Sequence, residues 1–510
     1  MSKNTANVSI NVINKAQSVA TPSLGVIFVA GETDYGIPNN PVDVISSVTQ
    51  FEKLYGSLSQ HSDFPLLCEL ALNAGAKLRV CKIVGTGATP ATHGIENDTG
   101  ELLATLTTKG KGTIYNTMDL VIMKATNLDP NCFNLILTIV LPSPLGDITI
   151  QEVYENLEAP SSDAPPYTWL KPLVDGSKLV TVTYADLTSV TGSFIPFQIA
   201  VKFSGGTDDF ALSAADYTGS PTLRTGFHSF DPYEEAFVIS APAVTEEDLT
   251  GIYTAGKAYA ALRKDLVYFY AFANSLNTAT DIVTHLQSLT ASKYAGAFGG
   301  GVKVVDALEG GIKETLSTGE LLGVLATSHT LNGPWISPTS YVNGVFNQAL
   351  GVVNNFGSPA SLADLNLIAN AGGNMVVNKS GTIMQWDFYT MDTAESPEKF
   401  LTIMFLEIYL RKSLKPILER FLGRPNTFGT WEEIYYTVLP FLINLVDQEA
   451  LFEFKWDGDQ FAKSLDDLQI NDPDDVGLGK YKIQLQIKTI APMVEITLDI
   501  ILTKNSVEFE

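Results

Sequence analysis

Cysteine and arginine are scarce in this chain of 510 residues, which contains three of the first and six of the second. Cys68, Cys81 and Cys132 are too few and too scattered for a disulfide framework, so we expect folding in a reducing compartment. No apolar run is long enough to span a bilayer, and the polar start MSKNTANVSINV predicts no signal peptide. The excess of 56 acidic over 32 basic side chains argues against broad binding to nucleic acid or an anionic membrane.

The remaining composition is that of an ordinary globular protein. Hydrophobic residues make up 45% of the chain and charged residues 17%, which is enough apolar material for a large core. The length predicts about two to four domains. We therefore expect an acidic multidomain protein of mixed α/β and α+β class.

The two ends of the chain each predict an isolated strand. Near the start, Val8, Ile10 and Val12 alternate with polar residues, and Thr21-Pro22-Ser23 separates this strand from the apolar run 24–30. The last strand alternates in the same way through Val494, Ile496, Leu498 and Ile500. We expect strand-forming arms at 1–22 and 494–510, whose edges need a partner.

Between the arms the sequence pattern changes twice. Residues 23–87 and 231–391 read as one α/β core, with strands at 236–241 and 266–273 and helices at 245–263 and 278–289. Residues 88–230 are rich in short β runs and turns and contain a single arginine, Arg224. This stretch predicts an inserted all-β domain projecting from the core, and residues 392–493 predict a C-terminal α+β domain with strands at 450–456 and 480–490.

A buried helix is predicted over 396–424, with Ser396 as its N-cap and apolar residues on almost every side. Its far end is basic, and Arg411, Lys412 and Lys415 fall on one face at helical spacing. The alternative is a solvated end in which Glu407 pairs with Arg411. Pro416 predicts a kink or an end to this helix. Thr430-Trp-Glu-Glu433 predicts the capping box of a following helix.

One segment resembles a phosphate-binding loop. GIYTAGK at 251–257 has the required glycine and lysine spacing, which leaves a nucleotide-dependent enzyme or motor as an alternative function. The next residue is Ala258, so the hydroxyl that binds magnesium is missing. Thr245–Asp248 also predicts a helix cap before the motif, which would place Gly251 and Lys257 inside a helix. We interpret the match as chance.

Other candidates for chemistry are weaker. FGGG at 298–301 predicts a turn, and no metal-ligand spacing supports zinc at His61, Cys68 and Cys81. The remaining histidines have no obvious nucleophile partner, and the sequence predicts neither an enzyme nor a cofactor. The acidic cluster predicts a solvated loop rather than a calcium site; its members are Asp466, Asp467, Asp472, Asp474 and Asp475. Carbohydrate binding through the inserted β domain is a further alternative.

The order of several segments resembles the tail sheath proteins of contractile phage tails and related contractile injection systems. The matching segments are LNLIANAGGNMVVNKSGTIMQWDFYTM at 365–391, the helix at 396–424, and RPNTFGTWEEIYYTVLPFLINLVDQEALFEFKW at 424–456. SKYAGAF at 292–298, NGPWISPTS at 332–340, GVIFVAG and VTQFEKLYGSLS fit the same pattern. The chain departs from it at Phe298-Gly299-Gly300 and at Phe388-Tyr389-Thr390.

This resemblance implies a structural protein without cofactor or metal. It implies hexameric rings stacked helically around a tail tube, with terminal strands exchanged between subunits, here through Val8, Ile10, Val12, Val494, Ile496, Leu498 and Ile500. The implied partners are other copies of the chain, the tube protein, and baseplate and tail terminator proteins, with no membrane insertion. The C-terminal domain would face the tube and present Arg411, Lys412 and Lys415. The implied location is a virion tail or injection particle assembled in the cytoplasm of a bacterial host.

Overall fold

The computed structural model describes residues 22–59, 61–144, 146–160, 168–197, 199–308, 310–353 and 361–493. Within these residues the chain divides into two compact units. The larger unit contains Ser23–Ile408 and the smaller contains Tyr409–Ile490. The predicted arm residues Val8, Ile10, Val12, Val494, Ile496, Leu498 and Ile500 lie outside the described residues.

The larger unit is built from short strands and helices. Its strands are β1 (Val26–Gly31), β2 (Val44–Ile45), β3 (Lys77–Lys82), β4 (Thr92–Glu96), β5 (Leu102–Thr108), β6 (Asp119–Lys124), β7 (Cys132–Leu141), β8 (Ile148–Glu158), β9 (Val180–Tyr184), β10 (Ile199–Lys202), β11 (Val238–Ser240), β12 (Val267–Ala271), β13 (Ala295–Gly299), β14 (Val302–Val305), β15 (Ile312–Thr315), β16 (Gly351–Val352), β17 (Gly373–Lys379) and β18 (Thr382–Gln385). Its helices are α1 (Val48–Tyr55), α2 (Phe64–Asn73), α3 (Lys171–Gly176), α4 (Ala214–Thr218), α5 (Ile252–Arg263), α6 (Ala279–Ser288), α7 (Thr318–Asn332), α8 (Ser340–Asn343) and α9 (Leu362–Asn370).

An eight-stranded sheet forms the centre of the larger unit, in the order β18-β17-β13-β12-β11-β1-β3-β2. Neighbouring strands from β17 to β3 run parallel, and only the two outermost strands are antiparallel. Every residue of β1 and of β12 is buried, because helices cover both faces of a parallel sheet. This explains why their sequences are continuous apolar runs.

Small residues let helix α7 lie close to α2. A Cβ atom on Gly323 would stand 2.3 Å from the Cβ of Ala74 and 2.5 Å from the carbonyl oxygen of Ala71. A Cβ on Gly319 would likewise stand 2.8 Å from a methyl group of Leu67. These glycines allow α7 to pack closely on α2, so they serve packing rather than ligand binding.

The region between β3 and β11 contains two antiparallel sheets with a hydrophobic cluster of their own. Their orders are β4-β5-β9 and β10-β6-β7-β8. The chain leaves and returns at one place, where the amide of Gly87 donates to the Asp209 carboxylate at 2.8 Å. The amide of Thr113 donates to Asp208 at 3.0 Å in the same way. A further sheet, β15-β14-β16, follows β13.

The helix α10 (Leu401–Glu419) follows a short 3-10 helix, Pro397–Lys399, so its α-helical part begins later than predicted. Pro416 lies inside α10 and the helix continues to Glu419, so the prediction of an end at Pro416 is wrong. The smaller unit continues with α11 (Phe428–Asp447), β19 (Leu451–Asp457), α12 (Pro473–Gly477) and β20 (Gln484–Thr489). The mixed α/β class is confirmed, and the domain boundaries stay predictions.

Candidate functional site

The segment 251–257 is not a phosphate-binding loop, although the reason differs from the one predicted. Gly251 has a φ of 93° and stands just before α5, whereas Thr245 and Asp248 close a separate turn. The prediction that Gly251 lies inside a helix is therefore wrong. The first amides of α5 are already occupied, because Gly251 and Tyr253 donate to the Glu246 carboxylate at 2.5 and 3.1 Å.

The other two motif residues are also committed to packing. A Cβ atom on Gly256 would stand 2.3 Å from the ring of Tyr268, so this glycine lets α5 approach β12. The ammonium of Lys257 donates to the carbonyl of Thr290 at 3.1 Å and lies over the ring of Tyr253. A phosphate would have to displace a carboxylate that is part of the same chain, which like-charge repulsion makes unfavourable.

The three residues that were considered and rejected as zinc ligands, His61, Cys68 and Cys81, have other surroundings in the fold. Cys68 and Cys81 are buried free thiols, and burial raises the pKa of both, which keeps them protonated. The His61 ring stacks on Phe210 with centroids 4.5 Å apart. Among the described residues no group of three histidine, cysteine or carboxylate side chains is placed to hold a metal ion.

The acidic cluster between β19 and β20 folds back on its own backbone. Asp467 accepts from the amide of Ser464 at 3.0 Å, Asp472 caps α12, and Asp475 pairs with Lys480 at 2.8 Å. These contacts are those of a solvated loop. FGGG at 298–301 ends β13 and turns the chain into β14.

One histidine has partners that the sequence did not predict. His285 Nδ1 lies 3.1 Å from the Glu247 carboxylate, and its Nε2 lies 2.9 Å from the hydroxyl of Tyr270. The Tyr270 hydroxyl also accepts from the amide of Glu246 at 3.2 Å, and burial raises its pKa, so it stays protonated. We interpret this chain of hydrogen bonds as a link between α6 and β12. Helical spacing gave no signal for it, since the three residues come from separate elements.

The smaller unit holds its helix and sheet together through a few specific contacts. Trp431 of α11 stacks on Tyr481 with centroids 4.6 Å apart, and its indole donates to Asn426 at 2.7 Å. Asn426 in turn donates to the carbonyls of Val476 and Lys480, both at 3.1 Å. The start of α11 is thereby fixed to the loop that leads into β20.

A second set of contacts shapes the loop between β19 and β20. The Asp459 carboxylate accepts from the amides of Gln469, Ile470 and Asn471 at 2.8–3.0 Å. Burial works in the opposite direction, but these bonds and that from the Asn471 side chain hold the pKa of Asp459 below its usual value. Asn471 also bonds the backbone of Lys482 in both directions. The loop therefore sets where β20 begins.

Among the described residues, the sheet of the smaller unit has two strands and therefore two open edges. Strands β19 and β20 are antiparallel, with Phe454 opposite Ile487 and Trp456 opposite Leu485. No third strand joins them within the described part of the chain. Phe452 is 72% exposed, which is unusual for an aromatic residue in a strand. A two-stranded sheet with open edges and an exposed aromatic ring is marginal alone and suited to accept another strand.

Solved structures with the same fold include sheath tail proteins and the sheath of the anti-feeding prophage. The sheath tail protein of Listeria innocua has a TM-score of 0.59 at 13% identity, over 93% of this chain and 97% of that chain. The anti-feeding prophage sheath in its contracted state has a TM-score of 0.55 at 12% identity, over 98% and 99% of the two chains. The sheath tail protein of Desulfitobacterium hafniense has a TM-score of 0.53 at 13% identity, over 89% and 94%. The chain has the tail sheath fold.

The predicted resemblance to tail sheath proteins is thus confirmed at the level of the fold. No protein family model and no curated protein sequence matches the chain. At 11–13% identity only the three-dimensional fold carries the similarity. Within the described residues, no helix of this sheath-like chain is long and apolar enough to cross a membrane.

The predicted basic face occupies the second half of α10. Arg411 and Lys415 are exposed and Lys412 is half-buried, and all three take part in interactions within the chain. Farther along, Arg424 pairs with Glu433 of α11 through two bonds of 3.0 and 2.5 Å. Helix α11 begins earlier than predicted, because Thr427 rather than Thr430 is its N-cap. The docking role of the basic face stays a prediction.

Proposed function

We propose that the protein is the sheath subunit of a contractile tail or of a related injection system. It polymerises as stacked hexameric rings around a tail tube and contracts to drive the tube through a target envelope, delivering a genome or an effector. The observation that carries this proposal is the extent of the fold similarity, which includes nearly the full length of this chain and of a contracted sheath subunit. A fold shared by one domain alone would not support it.

In this proposal the two-stranded sheet accepts the terminal arms of neighbouring subunits. The open edges of β19 and β20 support this role, because an added strand would pair backbone groups that are otherwise left to water. The alternating residues Val8, Ile10, Val12, Val494, Ile496, Leu498 and Ile500 would supply the apolar face of the added strands. Contraction then turns subunits as rigid bodies while the exchanged strands stay paired.

The proposal needs no nucleotide, cofactor or metal, because the extended lattice itself stores the energy of contraction. Its partners are other copies of the chain, the tube protein, and baseplate and tail terminator proteins. Its location is a virion tail or an injection particle, assembled in the cytoplasm of a bacterial host. The occupied amides at the start of α5 support a structural role over a nucleotide-dependent one.

Electron microscopy of the purified protein tests the polymer directly, with hollow striated tubes as the expected result. Deleting residues 1–20 should leave a folded subunit that forms no tubes. A sharper version replaces Val8, Ile10 and Val12 with Lys, which removes the apolar face. The matched control places Lys at Asn7, Ser9 and Asn11, so it adds three lysines on the opposite face. Tubes from the first triple variant would contradict strand exchange.

The basic face is tested by co-assembly with the tube protein. Changing Arg411, Lys412 and Lys415 to Glu should reduce the amount of sheath that forms around tubes. The control changes Lys124, Lys178 and Lys202 to Glu. It gives the same change in net charge in another part of the chain, the region from β6 to β10. Normal tube-bound sheath from the first variant would refute electrostatic docking, and equal loss in both would show a general effect of charge.

A further inference from the structure

A cleft of about 610 Å³ opens at the carboxyl edge of the large parallel sheet. It is lined by residues that follow three neighbouring strands: Glu32 after β1, Ala243–Thr245 after β11, and Ala273–Ser275 after β12. Strand β1 has β3 on one side and β11 on the other, and the chain builds the sheet outward in both directions from this point. Ligands of open parallel sheets bind at this kind of crevice.

Three residues that line the cleft carry a polar group with no hydrogen-bond partner in the described part of the chain. The Tyr217 hydroxyl is buried without a partner on a residue that is 1% exposed. The side-chain oxygen of Asn274 is also buried without a partner. The half-buried Glu32 carboxylate accepts no hydrogen bond from any described residue. Buried polar groups are rarely left unpaired, so such a group requires an explanation.

The other acidic groups of the cleft are already engaged. Asp63 pairs with Lys313 at 2.6 Å, Asp248 accepts from Thr245 at 2.7 Å, and Glu314 pairs with Lys303 at 3.0 Å. The polar groups that can still form a hydrogen bond therefore belong to Glu32, Tyr217 and Asn274, which we take together as one wall of the cleft.

The charge around this wall favours a cation. No lysine or arginine is among the described residues that line the cleft. Lys82 is close enough to influence Glu32, but its ammonium already donates to the carbonyls of Asp34 and Lys111 at 3.2 and 3.3 Å. Burial, with a smaller contribution from the neighbouring Asp34, raises the pKa of Glu32 to about 7. A bound cation would relieve this cost by ionising Glu32.

The shape of the cleft selects among cations. A metal ion is disfavoured, since the described residues contain no group of three metal-binding side chains. The stacked rings of His61 and Phe210 lie on the lining, and both are exposed. A planar guanidinium can donate to a carboxylate and to an amide oxygen at once and can stack on an aromatic ring, which an ammonium does less well.

We propose that this cleft is a binding site for a guanidinium group, held by Glu32 and Asn274 and stacked against the His61–Phe210 pair. Tyr217 closes the inner wall, where its hydroxyl bonds the ligand or a water that the ligand holds. The group comes either from a free small molecule or from an arginine side chain of a protein. The site is independent of the sheath role and would exist in a single subunit.

Isothermal titration of the full-length protein with agmatine tests the site. The peptide Gly-Arg-Gly, titrated in parallel, distinguishes a side chain from a free small molecule, because the peptide requires access for a backbone. Cadaverine is the control for charge without a planar group. We expect agmatine or the peptide to bind more tightly than cadaverine; equal binding of cadaverine would refute the guanidinium assignment, and no binding of any probe would refute the site.

Glu32→Gln should weaken binding about tenfold or more, because it removes the charge from a charge-assisted hydrogen bond. Tyr217→Phe keeps the packing of the ring and should also weaken binding, with a melting temperature at least equal to that of the parent. Glu155→Gln, an exposed change on β8, is the matched control and should bind as the parent does. If Glu32→Gln folds normally and still binds the probes as the parent does, the proposal is overturned.

Discussion

The buried side chain of His329 packs against the long helix α10, and from it we predict how the stability of the fold changes in acid. This histidine lies on α7 and is 3% exposed, and its Nε2 has no hydrogen-bond partner among the residues that the structure describes. Its ring meets Phe405 of α10 edge-on at 4.8 Å and Phe237 at 6.2 Å. Burial lowers the pKa of His329 to about 3, from an ordinary value of 6.5. The folded chain therefore keeps this imidazole neutral.

The sign and size of the effect follow from proton linkage. Between about pH 6.5 and pH 3 the unfolded chain binds a proton at His329 that the folded chain refuses, so the free energy of unfolding falls as the pH falls. Above this window His329 contributes no pH dependence. At about pH 5, which is about 1.5 pH units below the ordinary pKa of histidine, the free energy of unfolding is lower by about 2 kcal/mol. Near pH 3 this reduction reaches its limit of about 5 kcal/mol.

The variant His329→Leu removes the proton site and keeps an apolar side chain between the two phenylalanine rings. Urea unfolding is measured for parent and variant at about pH 7.5 and about pH 5. The parent should lose about 2 kcal/mol more than the variant between the two. Burial raises the pKa values of Glu32, Glu69 and Asp387 to about 7, which acts in the opposite direction but cancels in the comparison.

The control is Leu331→Ala, an exposed change on the same helix that removes no titratable group and should leave the pH dependence of the parent unaltered. Because the chain has two compact units, hydrogen exchange of the α7 amides provides a second measurement confined to the helix concerned. Equal pH dependence of parent and His329→Leu in both measurements would refute the reasoning.

Three further predictions concern single contacts. Burial raises the pKa of Asp387 to about 7, and one of its oxygens is buried without a partner, so stability from this group is full below about pH 4 and is lost as pH rises through 7. Asp387→Asn should raise the free energy of unfolding by about 4 kcal/mol at about pH 8 and change it little near pH 4; a loss of stability at pH 8 would contradict this. Gly256→Val should lower stability by about 1–3 kcal/mol in calorimetry through its clash with Tyr268, and an unchanged melting temperature would show that α5 can shift. Asp459→Asn should speed hydrogen exchange of the amides of Gln469 and Asn471 about tenfold, with Asp466→Asn as the control.

The central sheet could be predicted well because burial on both faces leaves a clear sequence pattern. The run 24–30 corresponds to β1 and the run 266–273 to β12, each within a few residues. Helix starts were predicted less well. Glu246 satisfies the first amides of α5 from outside the helix, whereas its neighbour Thr245 only closes a turn. A capping residue several positions away has no fixed spacing, so the sequence pattern assigned the wrong start.

The cleft could not be predicted from the sequence at all. Glu32, Tyr217 and Asn274 are far apart in the chain, and only the parallel sheet brings the ends of their strands and helices together. Each residue is unremarkable in its local pattern. Each of the three residues is important because it lacks a hydrogen bond in the folded chain. This is a property of the fold that composition and periodicity do not reveal.

The strand addition that we propose for the smaller unit would be favoured because the described residues of this unit are preorganised on one side and open on the other. Trp431, Asn426 and Asp459 fix the ends of α11 and β20, so an incoming strand would find its partner strands already in place. The entropy cost of ordering then falls mainly on the arm. Each backbone hydrogen bond adds only about 0.5–1.5 kcal/mol, so a single short arm binds weakly to an isolated subunit. In the proposed ring, repetition would change this balance, because each neighbour would hold the next in place and raise the effective concentration of its arms. We therefore expect isolated subunits to remain separate at low concentration and to polymerise cooperatively above a threshold, a dependence that light scattering over a dilution series measures; a linear rise in scattering from the lowest concentrations would contradict this account.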